Sequence, residues 1–270
     1  MGFNFKYNVH SSLPNDWVNE FYLIMNNLDK VIPLKPTNYY GNNFNSLEIF
    51  TWNSSTDKPF KNRIGNARGA YLSGGGGSYK GSDKFMVLEI PADEFKYNFI
   101  HRYSVIPHEY FHAFQSSLSQ SFNMGNFGIK WLSEGTASSL EALYIQQYYN
   151  INFFKNSRDQ NSVSNAVFKH PKIFESYSLS RKEDDNYSSS VFMVLALVKE
   201  LKKLNFTEEK AFKLVLYDYW RKNPSGHNWK KVFKEVFNIT LENFYKSLKN
   251  YTNDITLVLP SESLKLENIF

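Results

Sequence analysis

Apolar residues recur at helical spacing over residues 14–30, where Trp17, Phe21, Ile24 and Leu28 fall on one face. Asn15 or Asp16 stands near the start of this helix and Pro33 lies beyond its end. From Pro33 to about Ile90 the pattern turns extended. Leu47–Trp52, Gly69–Ser73 and Lys84–Ile90 are rich in strand formers and bounded by Gly, Asn, Ser and Pro. Between the last two, Gly74-Gly75-Gly76-Gly77-Ser78-Tyr79-Lys80-Gly81 ends in no Gly-Lys-Ser/Thr and opens no helical pattern, so it is read as a flexible hairpin loop and a candidate flap rather than a phosphate cradle. After Pro91 the chain reads as helices, one to about Phe122, a second to about Tyr149, and others near 188–204, 207–222 and 240–252. Residues 150–187 are polar and irregular, with a surface loop at Asn156–Ser162, and the tail from Ile255 to Phe270 is expected to dock as an extended strand. The order is that of an α+β protein, a sheet followed by helices.

Composition narrows the classes without choosing among them. At 270 residues, 42% hydrophobic and 21% charged, the chain is globular and long enough to bury a sizeable core. The expectation is a single domain over 1–270, with an amino-terminal sheet-containing lobe over about 1–92 and a helical lobe over about 93–270. A net charge of +5 with scattered lysines carries no nucleic-acid signature. The longest apolar run, Val191 to Val198, is far short of the ~20 residues that span a bilayer, so no membrane segment is expected. Cysteine is absent, which leaves histidine, carboxylate, hydroxyl or metal for any chemistry. The start, Met1-Gly2-Phe3-Asn4-Phe5-Lys6, lacks the basic and apolar stretches of a secretory signal. Either the protein stays inside the cell or the chain is a processed form, in which case an extracellular location is favoured.

The segment His108-Glu109-Tyr110-Phe111-His112 is the most informative of the chain. Positions i and i+4 of a helix face the same way, so the two imidazoles can grip one metal while Glu109 reaches the water it binds, the HExxH pattern of zinc peptidases. Two surface histidines on an ordinary helix would give the same pentapeptide. A closed set of three protein ligands needs one more donor, and a carboxylate on a second helix is a common source. Residues 113–133, with Asn123, Gly125 and Gly128 for a turn, are enough to reach Trp131-Leu132-Ser133-Glu134-Gly135-Thr136-Ala137 on the next helix.

Together these two segments resemble the gluzincin metallopeptidases. Trp131–Ala137 looks most like the segment of the aminopeptidase N and leukotriene A4 hydrolase group, and His-Glu-Tyr-x-His is similar to bacterial collagenases. The resemblance covers roughly residues 68–200. It implies one zinc ion held by His108, His112 and Glu134, with Glu109 as general base. It also implies a zincin-like, thermolysin-like fold of two lobes, a small mostly antiparallel sheet lobe and a helical lobe, with zinc between them. Glu141, two turns after Glu134, matches a carboxylate that hydrogen-bonds a ligand histidine in those families. Tyr187, in Tyr187-Ser188-Ser189-Ser190-Val191-Phe192-Met193-Val194-Leu195, resembles the tyrosine that stabilises the oxyanion, although Ser190 replaces the usual Gly. Tyr177 and His170 are substitutes for that role.

Departures from the pattern shape the function expected. Ser133 stands where the aminopeptidases usually carry Asn, and the G-x-M-E-N segment that binds a free amino terminus has no counterpart. Glu89 is either its remnant or a sheet residue facing solvent. An endopeptidase acting on peptide or protein substrates is therefore favoured over an aminopeptidase, with Lys84–Ile90 or Gly69–Ser73 pairing with an extended peptide. Pro107 cannot donate to the carbonyl of Tyr103, so the active helix either starts or kinks there. Lys182-Glu183-Asp184-Asp185-Asn186 is a weak calcium candidate whose spacing matches no known loop. The alternatives are a catalytically inactive zinc-binding interaction module of the same fold and a zinc hydrolase of a non-peptide bond. Cleavage preference, physiological substrate and oligomeric state are not read from these residues.

Overall fold

In the computed structural model, residues 2–39, 42–73, 84–156, 163–177 and 183–270 are described. The glycine-rich Gly74–Gly81 stretch lies outside them, as do all but the first residue of the 156–162 loop and the first residue of the calcium candidate. By internal packing the chain divides into two units, Met1–Gly125 and Asn126–Phe270.

The first unit is built on a four-stranded sheet. Its strands are β1 (Asn4–Val9), β4 (Ser46–Asn53), β5 (Ala70–Leu72) and β6 (Lys84–Ile90), in the order β1-β4-β6-β5. A separate hairpin pairs β2 (Thr37–Tyr39) with β3 (Asn42–Phe44). The expected mostly antiparallel sheet is corrected to a mixed one: β1/β4 and β4/β6 are parallel, and only the β5/β6 pair is antiparallel. The reason lies in the connections, because helix α1 (Asn15–Val31) carries the chain back between β1 and β4, as a parallel pairing requires. Both faces of the central strands are covered, so β4 and β6 read as nearly continuous apolar runs. On one face Phe50, Trp52 and Val87 pack with Phe60, Ile64, Ala67, Tyr71 and Phe85. On the other, rings of β1 meet the helices, Tyr7 with Phe21 at 5.7 Å and Phe5 with Tyr110 at 6.1 Å. Strand β1 escaped the sequence reading although Phe5, Tyr7 and Val9 alternate with Lys6 and Asn8 at strand period.

Short helices α2 (Lys61–Ile64) and α3 (Ala92–Lys96) precede α4 (His101–Leu118), the long helix of the first unit. Trp17 of α1 donates from Nε1 to the Arg102 carbonyl at 3.0 Å, and Tyr110 donates to the Ile32 carbonyl at 3.1 Å. These bonds anchor α4 to α1 at two points. Helix α4 runs through Pro107 and begins at His101, so it does not start at the proline.

The second unit is helical. Its long elements are α6 (Lys130–Tyr149) and, after α7 (Phe153–Asn156) and α8 (Ala166–Lys169), α9 (Glu183–Lys203). Helices α6 and α9 approach so closely that a Cβ on Gly135 would stand 2.5 Å from the Ser190 carbonyl oxygen. The region 207–222 is broken into α10 (Glu208–Lys213), a π turn over Leu214–Asp218 and α11 (Tyr219–Arg221). Helix α12 (Trp229–Phe237) was not predicted, although Trp229, Val232, Phe233 and Phe237 mark one buried face. It is followed by α13 (Leu241–Ser247). The tail is not an extended strand. It forms a short 3-10 turn at Ile255–Leu257 and a final turn α14 (Leu266–Ile269), because Ile255, Val258, Leu264, Leu266 and Ile269 are buried at spacings a strand would not allow on one face. Among the described residues no helix is long and apolar enough to cross a membrane.

Candidate metal centre

Helix α4 sets His108 and His112 one turn apart, with ring centroids 5.0 Å from each other. His108 is buried and His112 half-buried, while Glu109 beside them is buried at 5% exposure. Two features of α4 and its neighbour hold the second imidazole. Nδ1 of His112 lies 2.7 Å from Oε1 of Gln115, which is fully buried. A proton on Nδ1 donated to this amide oxygen leaves Nε2 with its lone pair free for a metal. The Phe122 ring stacks on His112 at 6.0 Å and 16°. Phe122 reaches that position because α4 ends at Leu118: Ser119 adopts extended backbone and its Oγ accepts from the Phe122 amide, capping the short helix α5 (Gln120–Asn123).

Glu134 sits in the first turns of α6 and is buried. Lys130, one turn earlier, places Nζ 3.1 Å from its Oε1. The same ammonium lies 5.8 Å over the Tyr177 ring, whose neighbour at 5.5 Å is the Tyr187 ring of α9. Tyr177 and Ser190 share a hydrogen bond of 2.8 Å. Thus the structure brings two of the three oxyanion candidates, Tyr187 and Tyr177, into contact with each other and, through Lys130, into sequence with Glu134. The third, His170, is an exposed residue at the turn before a 3-10 segment over Pro171–Glu175. Glu141 is buried further along α6. Gly135 of the same motif has a packing explanation, since no side chain fits where the Ser190 backbone crosses.

His108, His112 and Glu134 each offer one ligand atom, and these atoms lie within 4.8 Å of one another, the one such group among the described residues. Donors bound ~2.1 Å from a single tetrahedral ion stand about 3.4 Å apart, inside that limit. The set of two imidazoles and one carboxylate can hold a metal ion.

Sequence reasoning missed Gln115, Lys130 and Phe122. The first two were accessible in principle, as i+3 and i−4 neighbours of expected ligands on a helix. Phe122 was not, because it depends on where α4 stops. Glu89, read as either a remnant of the G-x-M-E-N segment or a sheet residue facing solvent, does not face solvent. It is 9% exposed, with Oε1 2.6 Å from Arg68 and Oε2 accepting from the Gly69 amide at 2.7 Å. Strand β6 is paired on both sides and has no edge to offer a peptide, which leaves β5. None of the family models, curated proteins or solved structures compared with the chain matches it.

Proposed function

We propose that this protein is a zinc-dependent metallopeptidase of the gluzincin type, with a zincin-like arrangement of its α+β fold, acting as an endopeptidase. The observation that carries the reading is the grouping of His108, His112 and Glu134 with all three donor atoms within 4.8 Å, beside a buried Glu109. Two neutral imidazoles and a carboxylate form a common protein donor set for catalytic zinc, with one coordination position left over. A bound zinc ion supplies Lewis acidity, making water acidic enough to ionise near neutral pH.

The chain's own groups account for the remaining tasks. The Glu109 carboxylate accepts a proton from the attacking water and returns it to the nitrogen of the departing amine as the C–N bond breaks. The phenol of Tyr187, or of Tyr177 next to it, donates to the oxyanion that develops on the scissile carbonyl. An extended peptide pairs with the outer edge of β5, the strand of the sheet that packs beside α4. Glu89 has both oxygens engaged by Arg68 and Gly69, so it does not receive a substrate's free amino group, which favours cleavage within chains.

The test is metal analysis of the purified protein combined with a quenched-peptide library, with and without chelator. The parent should carry one zinc and lose cleavage when it is removed. Glu109→Gln should retain the metal and lose at least ~10³-fold in turnover. Of Tyr187→Phe and Tyr177→Phe, the one that lowers turnover by about a hundredfold at full metal content marks the oxyanion donor. A parent that binds zinc yet cleaves no peptide would overturn the enzyme reading in favour of a binding module.

A further inference from the structure

We propose that Glu89 and Lys84, the two charged residues of β6, are positioning residues that clamp the edge strand β5 from its two ends and hold its outer side ready for an extended peptide. The proposal rests on the metallopeptidase reading for the identity of what pairs there. The clamp itself rests on geometry within the first unit.

Strand β5 has only three residues and, among the described residues, a strand partner on one side. Its register with β6, Tyr71 opposite Val87, makes the inward pairs 69/89, 71/87 and 73/85 and turns the amides and carbonyls of Ala70 and Leu72 to the outer edge. At both ends the ladder is incomplete in the same way. In the 69/89 pair the Glu89 amide donates to the Gly69 carbonyl at 2.9 Å, but the Gly69 amide donates to the Glu89 side chain at 2.7 Å. Gly69 has φ +73, and this left-handed turn is what aims its amide at the carboxylate. In the 73/85 pair the Ser73 amide donates to the Phe85 carbonyl at 2.8 Å, but the Phe85 amide donates to Ser73 Oγ at 2.9 Å. The Ser73 carbonyl so released accepts from Lys84 Nζ at 3.1 Å. A carboxylate thus fixes the entry of β5 and an ammonium fixes its exit.

The choice of charged groups for this task is costly. Lys84 is 4% exposed, and burial pushes its ammonium down to about 8. A neutral donor would hold a carbonyl without that desolvation, so the arrangement is unexplained by folding stability. Arg68 grips the other Glu89 oxygen and is itself paired with Asp57, which keeps the carboxylate aimed along β5. What the clamp secures is a short edge whose outward backbone groups alternate at strand spacing, beside the helix carrying His108 and His112. The ligand class that matches it is the interior of an extended polypeptide, bound by main-chain hydrogen bonds rather than by a terminal charge.

The experiment follows amide hydrogen exchange at Tyr71 and Ser73, and separately KM and kcat on a quenched peptide, in Glu89→Gln, Lys84→Met, Arg68→Gln and Arg68→Lys. In the first three, exchange at both amides should quicken about tenfold or more while β4 amides keep parental rates. KM should rise about tenfold with kcat and metal content unchanged, and Arg68→Lys should restore both readouts toward the parent. Parental exchange at Tyr71 and Ser73 overturns the clamp, and rapid exchange with parental KM overturns its positioning role. If Glu89→Gln does not fold, Lys84→Met decides, because that change removes a buried charge. Should the parent cleave no peptide at all, the metallopeptidase reading falls and the exchange rates alone judge the clamp.

Discussion

The two units bury polar groups by opposite means. Around the sheet of the first unit most buried polar side chains are charged, Glu48, Lys84 and Glu89 against Thr51. Glu48 is fully buried on β4 and takes Asn8 at 2.9 Å, Arg63 at 2.7 Å and Lys6 at 3.1 Å. Burial pushes its carboxyl up, yet hydrogen bonds from Asn8 and Lys6 and the charges of Arg63 and Lys6 outweigh it and hold it below the usual range. In the long helices of the second unit Glu134 and Glu141 are buried, but hydroxyls outnumber them, and several turn back on their own backbone. Ser133 donates to the Ile129 carbonyl, Thr136 to Leu132, Ser139 to Gly135 and Ser190 to Asn186, each one turn earlier. A helix satisfies its interior backbone groups internally, so its buried hydroxyls need no outside partner and their small volume permits close packing. A sheet leaves strand ends and edges to be satisfied by side chains, which is work for longer, charged groups. The first unit should therefore be sensitive to charge and pH, and the second to volume.

The largest expected effect falls on volume. Gly135→Ala adds a Cβ 2.5 Å from the Ser190 carbonyl oxygen and 2.9 Å from a Val194 methyl, and a backbone atom cannot rotate away. The expected loss is about 3 kcal/mol, the upper end for overpacking, read by urea denaturation. A loss below ~1 kcal/mol would show that α6 and α9 separate easily and that small residues there are incidental. The charge-sensitive counterpart is Lys84→Met. With the ammonium pushed from 10.5 to about 8, the unfolded chain binds the proton more tightly than the native one. Native stability therefore rises with pH between about 8 and 10.5, and the full penalty of burying the charge is present below that window. Removing the charge should raise the global unfolding free energy at pH 7 by roughly 2 kcal/mol, the pKa-linked gain less the lost bond to Ser73, while β5, without that bond, opens locally more readily. The advantage over the parent should fade above pH 10. A variant less stable than the parent at pH 7 would mean that the ammonium is held by more than a carbonyl.

The same contrast explains what the sequence disclosed. The histidine pair on α4 was legible because its geometry is local: two histidines four apart on one helix need nothing else to converge. Glu134 was legible by its surroundings, since Trp131 and Gly135 flank it in a recognisable pattern. Their roles are structural, Trp131 donating to Tyr245 at 3.0 Å and Gly135 yielding space to Ser190. Strand β4 and strand β6 were found because they are buried on both faces and read as apolar runs. Their direction was not, because parallel and antiparallel pairing differ in connection rather than in residue type. Nor was the fate of Glu89, a carboxylate whose exposure depends on Arg68 and Gly69 arriving from another segment.

The smallest effect tests whether the local logic of α4 extends beyond its two histidines. Gln115 is three residues after His112, fully buried, and its carbonyl oxygen is the partner of His112 Nδ1. Replacing it by leucine keeps the volume and the helix propensity while deleting the acceptor. Without that acceptor His112 is free to place its proton on Nε2 or to rotate, and either withdraws the lone pair from the metal. If the group holds a metal ion as proposed, Gln115→Leu should weaken its binding about tenfold, or about 1.4 kcal/mol, with little change in the unfolding midpoint of the metal-free protein. Competition with a chromogenic chelator reads the affinity. An unchanged affinity would leave the stacked Phe122 ring as the feature that orients His112, and Phe122→Leu would then carry the loss instead.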